Sequence, residues 1–277
     1  MSRYGWLGRK TLRKAAVTLD AVSATPVLAL HGQPGTGRDF AAVGRALAGE
    51  RRVLAPDRPG WGSRVAEGAG GFAAGADDAV RVLDAEGVDR AVVVGFSWGG
   101  GVALEMARRH PDRVAALVLA ASIGPGEPTP VDRVLGRPVP GRVICAAGLT
   151  ATRLLLRRPA VTGLLGRGMR GVDPTHVRYF ADDCLRRSVL DSFMVEQQAL
   201  VTELPAVLGH LDAVRAPTVV VTGDHDRMVA AASPRALAAS IPGAELRVIP
   251  GAGHFLPGAA PAALADAITT AASRAAG

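Results

Sequence analysis

Aromatic residues are scarce, at 4% of a 277-residue chain. So few Trp, Tyr and Phe side chains leave little with which to stack the bases of single-stranded nucleic acid. The core must be built instead from Ala, Val and Leu. Cysteine is nearly absent: Cys145 and Cys184 are the two present. They are too few for a disulfide scaffold or a metal site, and they read as buried free thiols. No uninterrupted apolar run approaches the length of a membrane span. Met1–Lys14 is basic, yet no apolar stretch follows it as in a signal peptide, so the expected location is cytoplasmic. Basic runs are missing too. Lys and Arg outnumber Asp and Glu by 32 to 25, a net charge of +7, but they are dispersed. Dispersed charge speaks for a solvated Arg-rich surface and against a nucleic-acid partner. Glycine and proline follow no three-residue period, which excludes a collagen-like chain.

What is present is a large apolar fraction, 48%, enough for a substantial core, with a charged fraction of 21%, too low for a disordered chain. Several short β-branched runs end at Gly or Asp. They are Val27–Leu30, Val53–Ala55, Ala91–Val94, Leu117–Ala120, Thr218–Val221 and Leu246–Ile249, with Ala15–Val22 as an edge candidate. Most are continuous rather than alternating, as strands buried on both faces require. Helical patterns lie between them at Gly75–Glu86, Gly99–Arg109 and Pro234–Ala239. This alternation predicts an α/β class with a mostly parallel sheet covered by helices. It breaks after Ile123. From there to about His210 helical stretches dominate, notably Val143–Arg158 and Ala181–Leu204, behind a Gly- and Pro-rich linker at Gly124–Pro130. The expected division is a core over 1–123 and 211–277, interrupted by a helical insertion over 124–210. The Ala-rich C-terminus reads as compositionally simple.

The strongest chemical signal is Gly95-Phe96-Ser97-Trp98-Gly99, directly after one strand pattern and before a helical one. A serine on so sharp a turn needs small residues two positions either side. Gly95 and Gly99 supply them, and the following helix places its positive end at the hydroxyl. His31-Gly32-Gln33-Pro34-Gly35 ends an earlier strand and can bring a second backbone N–H to the same place. The N–H groups of Gln33 and Trp98 are the expected pair for a tetrahedral oxyanion. His31 is expected to hold the loop rather than act as a base. Serine needs a base, and the base needs an orienting carboxylate. Gly223-Asp224-His225-Asp226 ends one strand, and Gly251-Ala252-Gly253-His254 ends the next. The order Ser, Asp, His fits, with Asp224 and Asp226 both open as the acid.

These motifs together, with Asp57-Arg58-Pro59-Gly60-Trp61-Gly62, resemble the α/β-hydrolase superfamily, in the branch of serine hydrolases that carry a helical lid. The resemblance implies an α/β-hydrolase fold with the lid inserted after the sixth core strand. It implies Ser97 as nucleophile, His254 as base and then acid, and Asp226 as its partner, because the family usually places the acid at the end of G-x-x-D. Glu127 is the carboxylate available to the variant with its acid after the preceding strand. Relatives that displace halide or open epoxides carry Asp at the turn, so Ser97 implies acyl transfer.

The expectation is therefore an esterase-like enzyme acting on a small to medium, moderately apolar ester, thioester or lactone, with no cofactor and no metal. Alternatives on the same frame are a peptidase similar to proline iminopeptidases, a biosynthetic acyltransferase, cyclase or lyase, and a ligand-binding receptor. Phe96, Phe180, Phe193 and Met194 are the candidate substrate-lining residues, and Trp98 is placed to narrow the acyl site. The insertion's many Arg residues read as a solvated face.

Overall fold

The computed structural model describes residues 24–158, 160–161, 182, 189–229 and 232–276. Among these residues six strands form one sheet: β1 Val27–Leu30, β2 Val53–Leu54, β3 Ala91–Phe96, β4 Val114–Ala120, β5 Thr218–Gly223 and β6 Glu245–Ile249. All neighbours run parallel, in the order β2-β1-β3-β4-β5-β6. The edge candidate Ala15–Val22 lies outside the described residues.

Parallel strands cannot be joined by tight turns, so each connection crosses a face of the sheet. The helices α1 Ala41–Ala46, α2 Phe72–Ala85 and α3 Trp98–Arg109 make the early crossovers. Both faces are consequently apolar. One face carries Leu28, Val93, Leu117, Leu119 and Val220, packed under α2 and α3. The alternate residues Val27, Ala29, Val92, Val118 and Val221 form the other face, with Phe40 and Val43. Burial on both sides explains why these strands read as continuous apolar runs.

Between β4 and β5 the chain leaves the sheet for α4 Pro130–Leu135, α5 Pro140–Leu156, α6 Leu190–Thr202 and α7 Leu204–Leu208. Four strands precede this segment in the described sheet, where the family resemblance counts six. The segment is not detached from the core. Ala199, Leu200, Leu204 and Val207 join the cluster under α2 and α3. The Glu203 carboxylate accepts the Phe72 N–H at 2.8 Å, capping the otherwise unpaired start of α2.

After β5 come α8 Ser233–Ser240, β6, α9 Leu256–Ala259 and α10 Pro261–Ala276. The Ala-rich C-terminus is thus a buried helix. Ala267, Ile268 and Ala271 are fully covered and pack with β4 and β5, and the small side chains let α10 lie close to the sheet. No described helix is long and apolar enough to cross a membrane.

Candidate active site

All six strands point the same way, so their C-terminal ends share one edge. The loops after β1, β3, β5 and β6 carry His31–Gly35, Ser97, Asp224–Asp226 and Gly251–His254. Such an edge is where open α/β sheets build their sites.

Ser97 sits between β3 and α3 at φ 53° and ψ −121°. A non-glycine residue rarely adopts this conformation, which costs on the order of 1–3 kcal/mol. The neighbouring strand β4 and the first turn of α3 hold it there. The Ser97 N–H donates to Ala120 O at 3.0 Å, and Ser97 O accepts from Gly100 at 2.9 Å. The flanking glycines are required by space. A Cβ on Gly95 would stand 2.5 Å from Gly100 Cα, and one on Gly99 would stand 2.5 Å from His31 O.

His254 joins this serine to an acid. Its Nε2 lies 3.0 Å from Ser97 Oγ, and its Nδ1 lies 2.9 Å from Asp226 Oδ2. The second Asp226 oxygen accepts the N–H groups of Met228 at 2.8 Å and Val229 at 3.2 Å. Burial alone would raise the Asp226 pKa, but its bond to His254, the histidine's charge and the two N–H donors outweigh burial and lower it. The His254 and Asp226 side chains are each 5% exposed. Phe96 packs on the His254 ring at 5.3 Å between centroids, and Phe255 meets it edge-on at 5.6 Å.

Asp224 does not reach this chain of contacts. It binds the Gly251 N–H at 2.7 Å and lies 3.0 Å from His225 Nδ1, in an exposed turn. Glu127 accepts the Gly124 N–H at 2.9 Å. Burial pushes its pKa up to about 7, with Asp132 and Asp226 nearby adding to the rise.

The loop after β1 lies against the turn: a Cβ on Gly32 would be 3.0 Å from Ser97 Cβ. Gln33 Nε2 donates to Phe193 O of α6 at 2.9 Å. His31 is fully buried. Its Nδ1 faces Gly32 O at 2.9 Å, and its Nε2 accepts the Arg58 N–H at 2.9 Å. Burial, then the Arg58 charge, holds its pKa well below the ordinary histidine range. It is a neutral structural residue, as its motif implies. Asp57 explains the glycine-rich turn after β2, since its carboxylate accepts the N–H groups of Gly37 at 2.9 Å and Ser63 at 2.8 Å.

Trp98 differs from expectation. Its indole is 2% exposed and stacks on Phe72 with centroids 4.4 Å apart, under the Arg58 guanidinium at 4.5 Å. The ring packs the core instead of narrowing a substrate space. Phe96 is also buried, against His254. Phe193 and Met194 are half-buried on α6, and Phe180 lies outside the described residues. Cys145 is a free buried thiol on α5, while Cys184 falls outside the described residues. Sequence reading missed Arg58 and Glu196, which form a buried pair beside the Ser97 turn. Arg58 stood inside a noted motif, but Glu196 carried no local signal.

The comparisons agree with this architecture. The model of the alpha/beta hydrolase family matches residues 27–267. The 2-hydroxymuconate semialdehyde hydrolase of Pseudomonas putida is 31% identical over 83% of this chain and 80% of its own length. A thermophilic esterase from Thermogutta terrifontis superposes with a TM-score of 0.71 at 25% identity, covering 91% of this chain and 90% of its own. Est816, described as an N-acyl homoserine lactone degrading enzyme, gives a TM-score of 0.64 at 26% identity, covering 89% and 92%. On its sheet, its motifs and these matches, the chain belongs to the alpha/beta hydrolase family.

Proposed function

We propose that this protein is a serine hydrolase that cleaves a carboxylic ester, thioester or lactone through an acyl-enzyme. The observation that carries the reading is the hydrogen-bonded chain from Ser97 through His254 to Asp226, at 3.0 and 2.9 Å, with the serine in a left-handed conformation. Ser97 Oγ attacks the acyl carbon as its proton passes to His254 Nε2. Asp226 keeps the histidine's other proton on Nδ1 and steadies the imidazolium. The N–H groups of Gln33 and Trp98 receive the oxyanion. His254 then protonates the leaving alkoxide or thiolate. Water repeats the sequence on the acyl-enzyme, releasing the acid and restoring Ser97. In this reading residues 124–210 form the lid over a core made of 1–123 and 211–277, and Phe193 and Met194 on α6 face the acyl group. No cofactor or metal takes part in these steps.

A second reading is favoured by the Pseudomonas putida relative. A muconate semialdehyde contains no ester, so its hydrolysis must break a carbon–carbon bond. The same triad would serve a conjugated keto acid or semialdehyde, with a carbon acid as leaving group.

The test is turnover of p-nitrophenyl acetate, butyrate and octanoate, beside 2-hydroxymuconate semialdehyde, by wild type and Ser97→Ala. Intact mass after fluorophosphonate treatment completes it. A covalent adduct lost in Ser97→Ala, with steady ester turnover, is the expected result. Turnover of the semialdehyde at much the higher kcat/KM would move the assignment to the second reading. Ester turnover retained in Ser97→Ala would overturn both. An adduct with no turnover would point to a peptidase, a biosynthetic acyl-transfer enzyme or a receptor on this fold.

A further inference from the structure

The most deeply buried Arg–carboxylate pair among the described residues stands behind the loop that carries Gln33. Arg58 and Glu196 have side chains 5% and 0% exposed. Each guanidinium nitrogen is engaged. Nη1 donates to Glu196 Oε1, and Nη2 donates to Glu196 Oε2 at 3.3 Å and to Gly32 O at 3.0 Å. Nε donates to His31 O at 3.0 Å. Trp61 Nε1 donates to Glu196 Oε1 at 2.8 Å, which completes the carboxylate's partners. The two charges answer each other, and neither is left over to meet a substrate.

The consequence follows from peptide geometry. Gly32 C=O and Gln33 N–H belong to one planar trans unit and point in opposite directions. Gly32 O is held by two donors, Arg58 Nη2 at 3.0 Å and His31 Nδ1 at 2.9 Å. His31 can donate from Nδ1 because its Nε2 is occupied in accepting the Arg58 N–H. Fixing that oxygen fixes the N–H on the other side. Glu196 rides on α6, and the same helix makes two further bonds to this region. Gln33 Nε2 donates to Phe193 O at 2.9 Å, and Trp98 Nε1 donates to Glu196 O at 3.3 Å. Both residues whose N–H groups are assigned to the oxyanion are therefore tied by their side chains to one helix of the inserted segment.

We infer that α6 is the brace of the oxyanion site: Glu196 positions Arg58, and Arg58 with His31 aims the Gln33 N–H. Seating of the inserted segment and stabilisation of the transition state are then one event. Arg58, His31 and Glu196 are positioning residues that touch no reacting atom. This inference rests on the reading of Gln33 and Trp98 as oxyanion donors.

The test uses Glu196→Gln, whose amide cannot pair the guanidinium's charge, and Gln33→Met, which leaves the buried charges intact and removes only the bond to Phe193 O. Each is titrated with a fluorophosphonate so that rates refer to live Ser97. A braced site predicts that Glu196→Gln loses about 10- to 100-fold in kcat on p-nitrophenyl butyrate. KM stays within about twofold, because the lost interaction belongs to the transition state. Inhibition by a trifluoromethyl ketone, which mimics the tetrahedral oxyanion, weakens by the same factor as kcat. Gln33→Met shows the same pattern, several-fold in size. The backbone amide resonances of Gly32 and Gln33 shift or broaden in Glu196→Gln. Unchanged kcat, ketone affinity and amide resonances in both variants, whatever happens to Tm, would overturn the inference and leave an ordinary core ion pair. If wild type takes no adduct and turns over no ester, the Ser97 reading has failed instead. The Gln33 resonance then decides alone: moved by Glu196→Gln, the brace on the loop stands; unmoved, it falls.

Discussion

Asp226→Asn separates a catalytic acid from a structural one, and the geometry says how. Asp226 Oδ1 accepts two N–H groups, Met228 at 2.8 Å and Val229 at 3.2 Å, while Oδ2 faces His254 Nδ1 at 2.9 Å. An asparagine has one acceptor oxygen to place. Turned toward the two N–H groups, it keeps both bonds and presents its NH₂ to His254. Turned the other way, it loses both and sets donor against donor. At about 1 kcal/mol or more per bond, the first arrangement wins by roughly 2 kcal/mol, near thirtyfold. His254 Nδ1 must then accept, so its proton moves to Nε2 and points at Ser97. The base is present in the wrong tautomer. The expected loss in kcat is about 10⁴, the size found for the equivalent change in a serine protease.

The assay is p-nitrophenyl butyrate hydrolysis per folded molecule, with Ser97→Ala as the floor. Asp224→Asn, whose carboxylate binds Gly251 and lies beside His225, should cost less than about threefold, because it touches neither proton path. A loss under about tenfold in Asp226→Asn, or the full loss in Asp224→Asn, would refute the assignment. The same variant carries a stability signature. The Asp226 pKa is lowered in the folded state, against burial, by His254 and the two N–H donors. Its contribution is complete above the ordinary aspartate range and is lost as pH falls through the lower folded value. Acid titration should therefore narrow the stability gap between wild type and Asp226→Asn.

Three further outcomes follow from the structure. Gly99→Ala sets a methyl against the carbonyls of Leu30 and His31, backbone that cannot yield. Urea denaturation should show a loss of about 2 kcal/mol or more. Glu127 holds a pKa near 7, raised chiefly by burial. The folded chain thus keeps a proton that the unfolded chain releases above the ordinary glutamate range, and stability falls as pH rises through that window. Glu127→Gln should flatten this fall and gain on the order of 1 kcal/mol at pH 8.5, read from urea midpoints. Asp39, also raised to about 7 chiefly by burial, leaves a residual slope of the same sign. Ala267→Leu forces three carbon atoms between α10 and the sheet, and should lower stability by about 1–3 kcal/mol in the same assay.

Much of the frame was legible because burial on both faces writes β1, β3, β4 and β5 as unbroken apolar runs. All six described strands fall on expected runs, and β1 and its expectation share both ends, Val27 and Leu30. The Ser97 turn was legible because its glycines answer a local steric demand. The choice of Asp226 over Asp224 came from family spacing, and the contacts with His254 agree with it. Helices made of alanine escaped. Buried Ala and exposed Ala look alike in sequence, so the helical period of α10, buried at Leu264, Ala265, Ala267, Ile268, Ala271 and Ala272, is written mostly in alanine and was passed over. The fate of the Trp98 indole also escaped, since Phe72 and Arg58 reach it from distant parts of the chain. Arg58 and Glu196, far apart in sequence, pair through tertiary structure that no spacing announces.

The place of the helical segment has a consequence for how the chain folds. β4 ends at Ala120 and its neighbour β5 begins at Thr218. Pairing them closes a loop of about a hundred residues, whose entropy must be met before any contact returns it. Among β1 to β4 the longest closure, β1 with β3, is shorter, at about sixty residues. The nucleus is therefore expected among residues 27–120, with β5, β6 and α10 adding late. Val93→Ala should slow refolding, whereas Val220→Ala should chiefly speed unfolding. Docking of α6 and α7 on the first half shortens the distance that the second half must cross, so the segment that braces the finished site also guides its assembly.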